Sequence, residues 1–334
     1  MSGTAQPKVA VTAPKTGLRA PWVPFAVGAA ALMLVARFLL PSNVSGALFT
    51  GLAQGSMIAL VALGYTMVYG ILKLINFAHS EVFMMGAFAG LFLILAFGGA
   101  ASPVLSGVLG TLGAMVIAGI LGVVVERIAY APLRARGRGK ANVRVTPLVT
   151  ALGMSVLLQN LAQLLFTARY RGYPQLLPIA DTRKVIFAAA VLVMIGLWFF
   201  VQRTWTGKAM RAVSTNVEAA RLMGIRTSRI IALTFITGSM LAALGAVLYC
   251  LDQSQVYPTM GVVIGTRAFV AAVIGGIGSI PGAVLGGILI GLIGELTKLT
   301  PYSGLQDVLV FTVLIGVLLV KPTGLLGKAG TEKV

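Results

Sequence analysis

The stretch VLSGVLGTLGAMVIAGILGVVV, Val104 to Val125, carries no charge, no proline and no strand-like alternation along its whole length. As a helix rising 1.5 Å per residue it matches the roughly 30 Å of hydrocarbon in a bilayer. KVIFAAAVLVMIGLWFFV, Lys184 to Val201, repeats the pattern. A membrane β-barrel would alternate apolar and polar positions, and these runs do not. With 58% hydrophobic residues, 10% charged residues and a mean hydropathy of +0.96, the chain is an all-α polytopic membrane protein.

Candidate spans fall near residues 23–40, 47–71, 81–98, 103–126, 147–166, 184–201, 230–251, 261–276, 281–297 and 305–320. The expected fold has about eight to ten transmembrane helices, with broken or re-entrant segments among them. Residues 1–22 form a basic tail, residues 23–320 the membrane domain and residues 321–334 a second tail. The long polar stretch ahead of Phe25, with no small-residue cleavage site after the apolar run, points to a retained first helix rather than a signal peptide.

The formal charge of +18 is confined to a few connections and lacks the interleaved aromatic residues of a nucleic-acid surface. Glu126 to Val145 and Gln202 to Arg229 are both rich in Lys and Arg, whereas Pro41 to Gly46 and Gly98 to Ser102 have none. Both basic loops and both termini are therefore expected on the cytoplasmic side. Ala168 to Lys184 dissents, with Arg169, Arg171, Arg183 and Lys184 on the outer side. A single cysteine, Cys250, and a single histidine, His79, exclude an internal disulfide and an ordinary Cys/His zinc site, so no metal is expected.

Glycines spaced for close helix packing occur at Gly86 and Gly90, Gly282 and Gly286, and Gly287 and Gly291. GGIGSIPGAVLGG, Gly275 to Gly287, breaks a helix without charge, as a turn or re-entrant segment does. GSMIALVALG (Gly55 to Gly64) and GSMLAALGAVL (Gly238 to Leu248) look alike, leaving an internal repeat and chance similarity both open.

Few ionisable residues lie within the spans, where each is costly. Glu81 and His79 sit in LINFAHSEVFMMGAFAG; Arg267, Glu295 and Asp307 lie in or at the ends of later helices, where Arg267 could pair with either acid. Adjacent His79, Ser80 and Glu81 point apart on a helix and cannot form a catalytic relay, and no nucleophile elbow or H-E-x-x-H pair occurs, so the chain is not expected to be an enzyme. Asn76 and Ser80 are capping types. A helix restarting near Ser80 would aim free N–H groups at the preceding gap, a setting for an anionic substrate group.

VSTNVEAARLMGIRTSRI, Val213 to Ile230, is different in kind. Thr215 with Glu218 reads as a capping box and Gly224 as a helix stop, predicting a short helix over Asn216 to Met223. Val217, Ala220 and Met223 give it an apolar stripe flanked by Glu218 and Arg221. Such a helix is held either by a groove on a partner or by anionic lipid.

GLAQGSMIALVALGYTMVYGILKLINFAHSEVFMMGAFAG (Gly51 to Gly90), ERIAYAPLR (Glu126 to Arg134), EAARLMGIRTSRIIALTF (Glu218 to Phe235), AFVAAVIGGIGSIPGAVLGG (Ala268 to Gly287) and KPTGLLG (Lys321 to Gly327) resemble the permease subunit of branched-chain amino acid ABC importers. The resemblance implies a second permease, two cytoplasmic ATPase subunits that hold ATP and Mg²⁺, a solute-binding protein outside, and the bacterial cytoplasmic (inner) membrane. Glu218, Ala219, Ala220 and Gly224 match the EAA-x3-G core of the loop that docks into the ATPase. The short helix, with Val217, Arg221 and Met223, is thereby the expected ATPase-coupling element of loop 202–229. The I-x-L-P continuation of that loop is absent. So is a G-x-x-x-x-G-K-[ST] phosphate loop, and nucleotide is expected on the partner, with no cofactor on this chain. Branched-chain or related amino acids lead as cargo, with urea or short amides as an alternative and a secondary transporter or channel as the competing class. Asn76, His79, Glu81, Arg267, Gly275, Gly276 and Gly278 are the candidate substrate-pathway residues.

Overall fold

The computed structural model describes residues 44–136 and 145–327. The expected first span, 23–40, the tail 1–22, part of the first basic loop and the last residues of the C-terminal tail lie outside them. The described helices are α1 (Val44–Leu72), α2 (His79–Ala96), α3 (Pro103–Val125), α4 (Ala131–Arg136), α5 (Val145–Phe166), α6 (Ile179–Arg203), α7 (Trp205–Thr215), α8 (Val217–Leu222), α9 (Thr227–Gln253), α10 (Met260–Gly275), α11 (Ile280–Lys298) and α12 (Gln306–Val320). One π turn, Glu126–Tyr130, joins α3 to α4. Among the described residues, eight helices are long and apolar enough to cross a membrane, and α10 is a shorter apolar helix. The fold is the all-α polytopic membrane bundle that the apolar runs predict.

Helices α1 and α9 form the centre. Both are apolar on every side and buried along most of their length, as a helix without a polar face has to be. They run antiparallel: Gly64 lies against Gly238, and Gly245 against Met57 and Val61. Helices α3, α5, α6 and α12 lie at the periphery and turn residues such as Leu105, Val116, Ile120, Leu164, Leu192 and Leu319 outward. An apolar rim this extensive suits lipid rather than water.

Two similar units build the core. In the first, α1 is followed by the non-helical residues 73–78, then α2 and α3; in the second, α9 is followed by residues 254–259, then α10 and α11. The units are interwoven, since α11 packs on α1 while α3 packs on α9. Because α1 and α9 are antiparallel, the repeat is inverted, the arrangement common in transporters. The two look-alike GSM segments fall on α1 and α9.

Glycine supplies the close approaches. A Cβ on Gly287 would stand 2.6 Å from the backbone of Ala59, so no side chain fits between α11 and α1 there. Gly291 continues that seam along Gly51 and Gly55, Gly282 and Gly286 face α10 instead, and Gly86 packs on Ala243 of α9. In lipid, such backbone proximity supplies the packing that water exclusion cannot.

The dissenting loop, 168–184, spends its charge locally. Arg183 bonds Asp252 Oδ1 at 2.9 Å and Thr50 Oγ1 at 3.0 Å, tying α6 to α9 and α1. Lys184 pairs with Asp181, and Arg171 donates to the Phe166 carbonyl while lying over the Phe92 ring. Three of its four cations thus have partners. A short antiparallel ladder, β1 (Arg171–Gly172) with β2 (Gln255–Val256), pins the loop to the segment entering α10.

Candidate functional site

Two regions stand out, one exposed at the turn between α7 and α9 and one buried at the start of α2. Thr204 caps α7, its hydroxyl accepting from the Gly207 N–H at 3.1 Å. Helix α7 buries Gly207, Ala209, Met210 and Val213 against the bundle and runs through Thr215. Thr215 is therefore not the cap of the short helix that the T-x-x-E spacing predicts; its hydroxyl donates back to the Arg211 carbonyl. Asn216 takes that place. Its Oδ1 accepts from Glu218 N–H at 2.9 Å and Ala219 N–H at 3.0 Å, opening α8 one residue later than expected.

The far end of α8 closes as the glycine predicts. Gly224, at φ +80°, donates to the Arg221 carbonyl while Ile225 donates to the Ala220 carbonyl, a Schellman arrangement that only a residue tolerant of positive φ completes cheaply. Held between two caps, this six-residue helix presents a defined face although its length alone would not keep it helical.

That face differs from the predicted stripe. Ala220 is buried (4%) and Val217 half-buried against the bundle, so these two anchor α8 to its own chain. Met223, grouped with them by spacing, is 82% exposed, and Leu222 is 88% exposed beside Glu218, Ala219 and Arg221. Leu222 is the residue sequence reasoning missed. Its signal was an apolar side chain off the stripe of an otherwise polar helix. Two large apolar side chains on the solvent-facing side of a rigid turn are what a hydrophobic groove on another protein receives. Asn216→Ala should remove the Oδ1 acceptor and loosen α8 by about 1 kcal/mol while leaving the bundle intact. Amide hydrogen exchange accelerated within α8, at Glu218 and Ala219 most directly, and unchanged in the bundle is the expected readout.

The buried region begins where α1 ends. Lys73 adopts φ +54° and the chain folds back, so that His79, the first residue of α2, lies against Gly64 and Tyr65, roughly two turns before the end of α1. The restart is thus an interruption inside the bundle. Asn76 and Ser80, predicted as caps, do not cap it: Asn76 Oδ1 accepts from Tyr130 Oη at 2.9 Å, and Ser80 Oγ donates to the Phe77 carbonyl at 2.7 Å. The N–H groups of His79 and Glu81 bond back to the carbonyls of Asn76 and Ala78 rather than pointing at an open gap.

Glu81 is wholly buried (0%). Its Oε1 accepts from Ser155 of α5 at 3.3 Å and lies 3.5 Å from Ser80 Oγ. Its Oε2 has no partner, nor has His79 Nε2 or Thr66 Oγ1. Asn76, His79 and Glu81 therefore share one interior region with Tyr65, Tyr130 and Ser155. Those last three come from separate helices and no local pattern marks them; Tyr130 reaches Asn76 from the π turn after α3.

The remaining residues that the sequence suggests for a pathway lie elsewhere. Arg267 donates to Asp307 Oδ1 from Nη2 at 2.8 Å and from Nε at 2.9 Å, tying α10 to α12; Glu295 accepts from Lys298 instead. Gly275, Gly276 and Gly278 form the α10–α11 turn, with φ +102° at Gly276 and +95° at Gly278. The tail packs on this turn, Leu325 N–H donating to the Ile274 carbonyl and Leu326 N–H to the Gly275 carbonyl at 2.8 and 2.9 Å. Gly278 also lines a cavity with Thr66, Gly70, Met210, Arg211 and Ser214, directly under α7.

An inverted-repeat helical bundle with a capped, outward-facing short helix and an interior polar interruption is the build of a membrane transport subunit. The sequence profile of the family described as branched-chain amino acid transport system / permease component matches residues 47–318, and the chain belongs to that family. It is 40% identical over 303 residues to the high-affinity branched-chain amino acid transport system permease protein BraD of Pseudomonas aeruginosa, covering 86% of this chain and 97% of the relative. LivH of Escherichia coli K12, a permease protein of the same description, is 39% identical over 303 residues, covering 86% and 96%. A solved metal-chelate type ABC transporter in an inward-facing conformation aligns over 82% of this chain and 85% of that chain, at 16% identity and a TM-score of 0.40. That likeness is too slight to define the fold.

Proposed function

We propose that this chain is the permease subunit of an ATP-driven importer of branched-chain or related amino acids in the bacterial cytoplasmic membrane. The observation that carries the reading is the doubly capped α8, with Leu222 and Met223 exposed, in a chain of this family. Two ATPase subunits, holding ATP and Mg²⁺, would receive α8 from this chain and from a second permease, and an external binding protein would deliver the amino acid. Closure of the ATPases would push α8, and α7 would pass the movement to α1, α6 and α9, on which it packs.

The test is reconstitution of the assembled importer in liposomes. Leucine uptake should require both ATP on the ATPase side and the binding protein, and should survive collapse of ion gradients. Uptake driven by an ion gradient without ATP would sink the reading. In the same assay, Glu218→Lys should lower uptake per ATP hydrolysed about tenfold with assembly preserved, because the site is exposed and the loss of a favourable helix-end charge costs α8 under about 1 kcal/mol. Normal coupling in this variant would move the contact away from α8.

A further inference from the structure

We propose that Glu81 and the first turn of α10 together bind the two charged ends of a zwitterionic α-amino acid, the ammonium at Glu81 Oε2 and the carboxylate at the N–H groups of Gly261 and Val262. The inference rests on the importer reading and deepens it by assigning the recognition chemistry inside the permease.

Charge accounting singles out Glu81. Among the described residues, Asp181, Asp252, Glu295 and Asp307 each pair with a cation, Glu218 faces outward, and Glu126 is engaged in an interaction of its own. Glu81 is the wholly buried acid whose neighbours are hydroxyls and whose second oxygen has no partner. An acid kept at membrane depth without a cation is a costly feature, and a transported cationic group is the partner that offsets the cost.

The free oxygen is aimed at a helix end. A Cβ placed on Gly261 would lie 2.8 Å from Glu81 Oε2 and 2.6 Å from the Ser80 carbonyl, so the absence of a side chain is what lets the carboxyl reach the first turn of α10. That turn has no side-chain cap, and its N–H groups at Gly261 and Val262 have no acceptor within the helix. The positive end of α10 and the free Glu81 oxygen therefore lie side by side. Uncharged urea or a short amide could hydrogen-bond at both poles but would bring no opposite charge to either.

In this conformation Ser80 and Gly261 touch, so loading requires the starts of α2 and α10 to part. These helices belong to opposite inverted units, and rocking of one unit against the other separates them.

The test uses the assembled importer. In detergent without ATP, leucine should raise the thermal unfolding temperature of the wild-type complex, leucinamide should do so partly, and 4-methylpentanoate, which lacks the amine, should not. In liposomes, Glu81→Gln should cut leucine uptake at least about tenfold while binding-protein-stimulated ATP hydrolysis persists, because the ammonium is left without its partner. Gly261→Ala should abolish the leucine-induced shift by filling the gap. Equal stabilisation by leucine and 4-methylpentanoate overturns the proposal without any variant, and so does unchanged uptake by Glu81→Gln. Absence of ATP-dependent leucine uptake by the wild type would instead overturn the importer reading, which keeps the two failures apart.

Discussion

Replacing Leu222 and Met223 together by serine is expected to weaken ATPase association about 100-fold. Each side chain is more than four-fifths exposed in the isolated chain, so each has most of its apolar area left to bury. Burial of one such side chain contributes about 1.5 kcal/mol or more, and two contribute about 3 kcal/mol, or about two decades in affinity. The bundle should be unaffected, because neither residue packs on it and exposed substitutions of this kind stay within about 0.5 kcal/mol. The measurement is retention of the ATPase subunits on the tagged permease across a concentration series. Unchanged retention would place the docking surface elsewhere. Ala220→Leu is the contrasting variant: it should disturb the seating of α8 on the bundle, since Ala220 faces inward.

The second large effect concerns the α1–α11 seam. Gly287→Val forces a side chain onto the backbone of Ala59, 2.6 Å from where its Cβ would stand, and neither helix can yield without losing the rest of the seam. A loss of about 3 kcal/mol or more is expected, a large share of the roughly 5–15 kcal/mol by which a domain is stable. Gly153→Val makes the control, because a Cβ on Gly153 of α5 meets nothing within 4 Å. Yield and thermal unfolding of the purified complex should collapse for the first and hold for the second. Comparable behaviour of the two would mean that close backbone approach does not hold this bundle together.

The helices were legible because each membrane span has to satisfy its backbone internally and expose carbon outward, constraints that write long apolar runs into a sequence. The glycine pairs were legible for a related reason: small residues at four-residue spacing have little other use in such a run. Caps were less legible. Thr215 and Asn216 are both capping residues, and Thr215 lost because the buried Met210 and Val213 carry α7 through it, a tertiary fact absent from the local spacing. The stripe of Val217, Ala220 and Met223 failed at its last member because α8 stops at Leu222, so spacing beyond that point no longer reports a helical face. At the interior region, sequence could mark Asn76, His79 and Glu81 as costly residues. It could not mark Tyr65, Tyr130, Ser155 and Gly261, ordinary residue types made relevant by helices remote in the chain. By sequence Arg267 suits either a pathway or an ion pair, and its geometry makes it the partner of Asp307.

The interweaving of the two units sets a problem for the ribosome. Helix α1 emerges early with its glycine face at Gly51 and Gly55 bare, and the surface that covers it, Gly287 and Gly291 of α11, is made only after most of the chain has been translated. At usual elongation rates that wait is on the order of ten seconds or more. Throughout it a nascent α1 stands in the bilayer with a groove shaped for another helix and none yet to fill it. Premature dimerisation through that groove is the misassembly this topology invites.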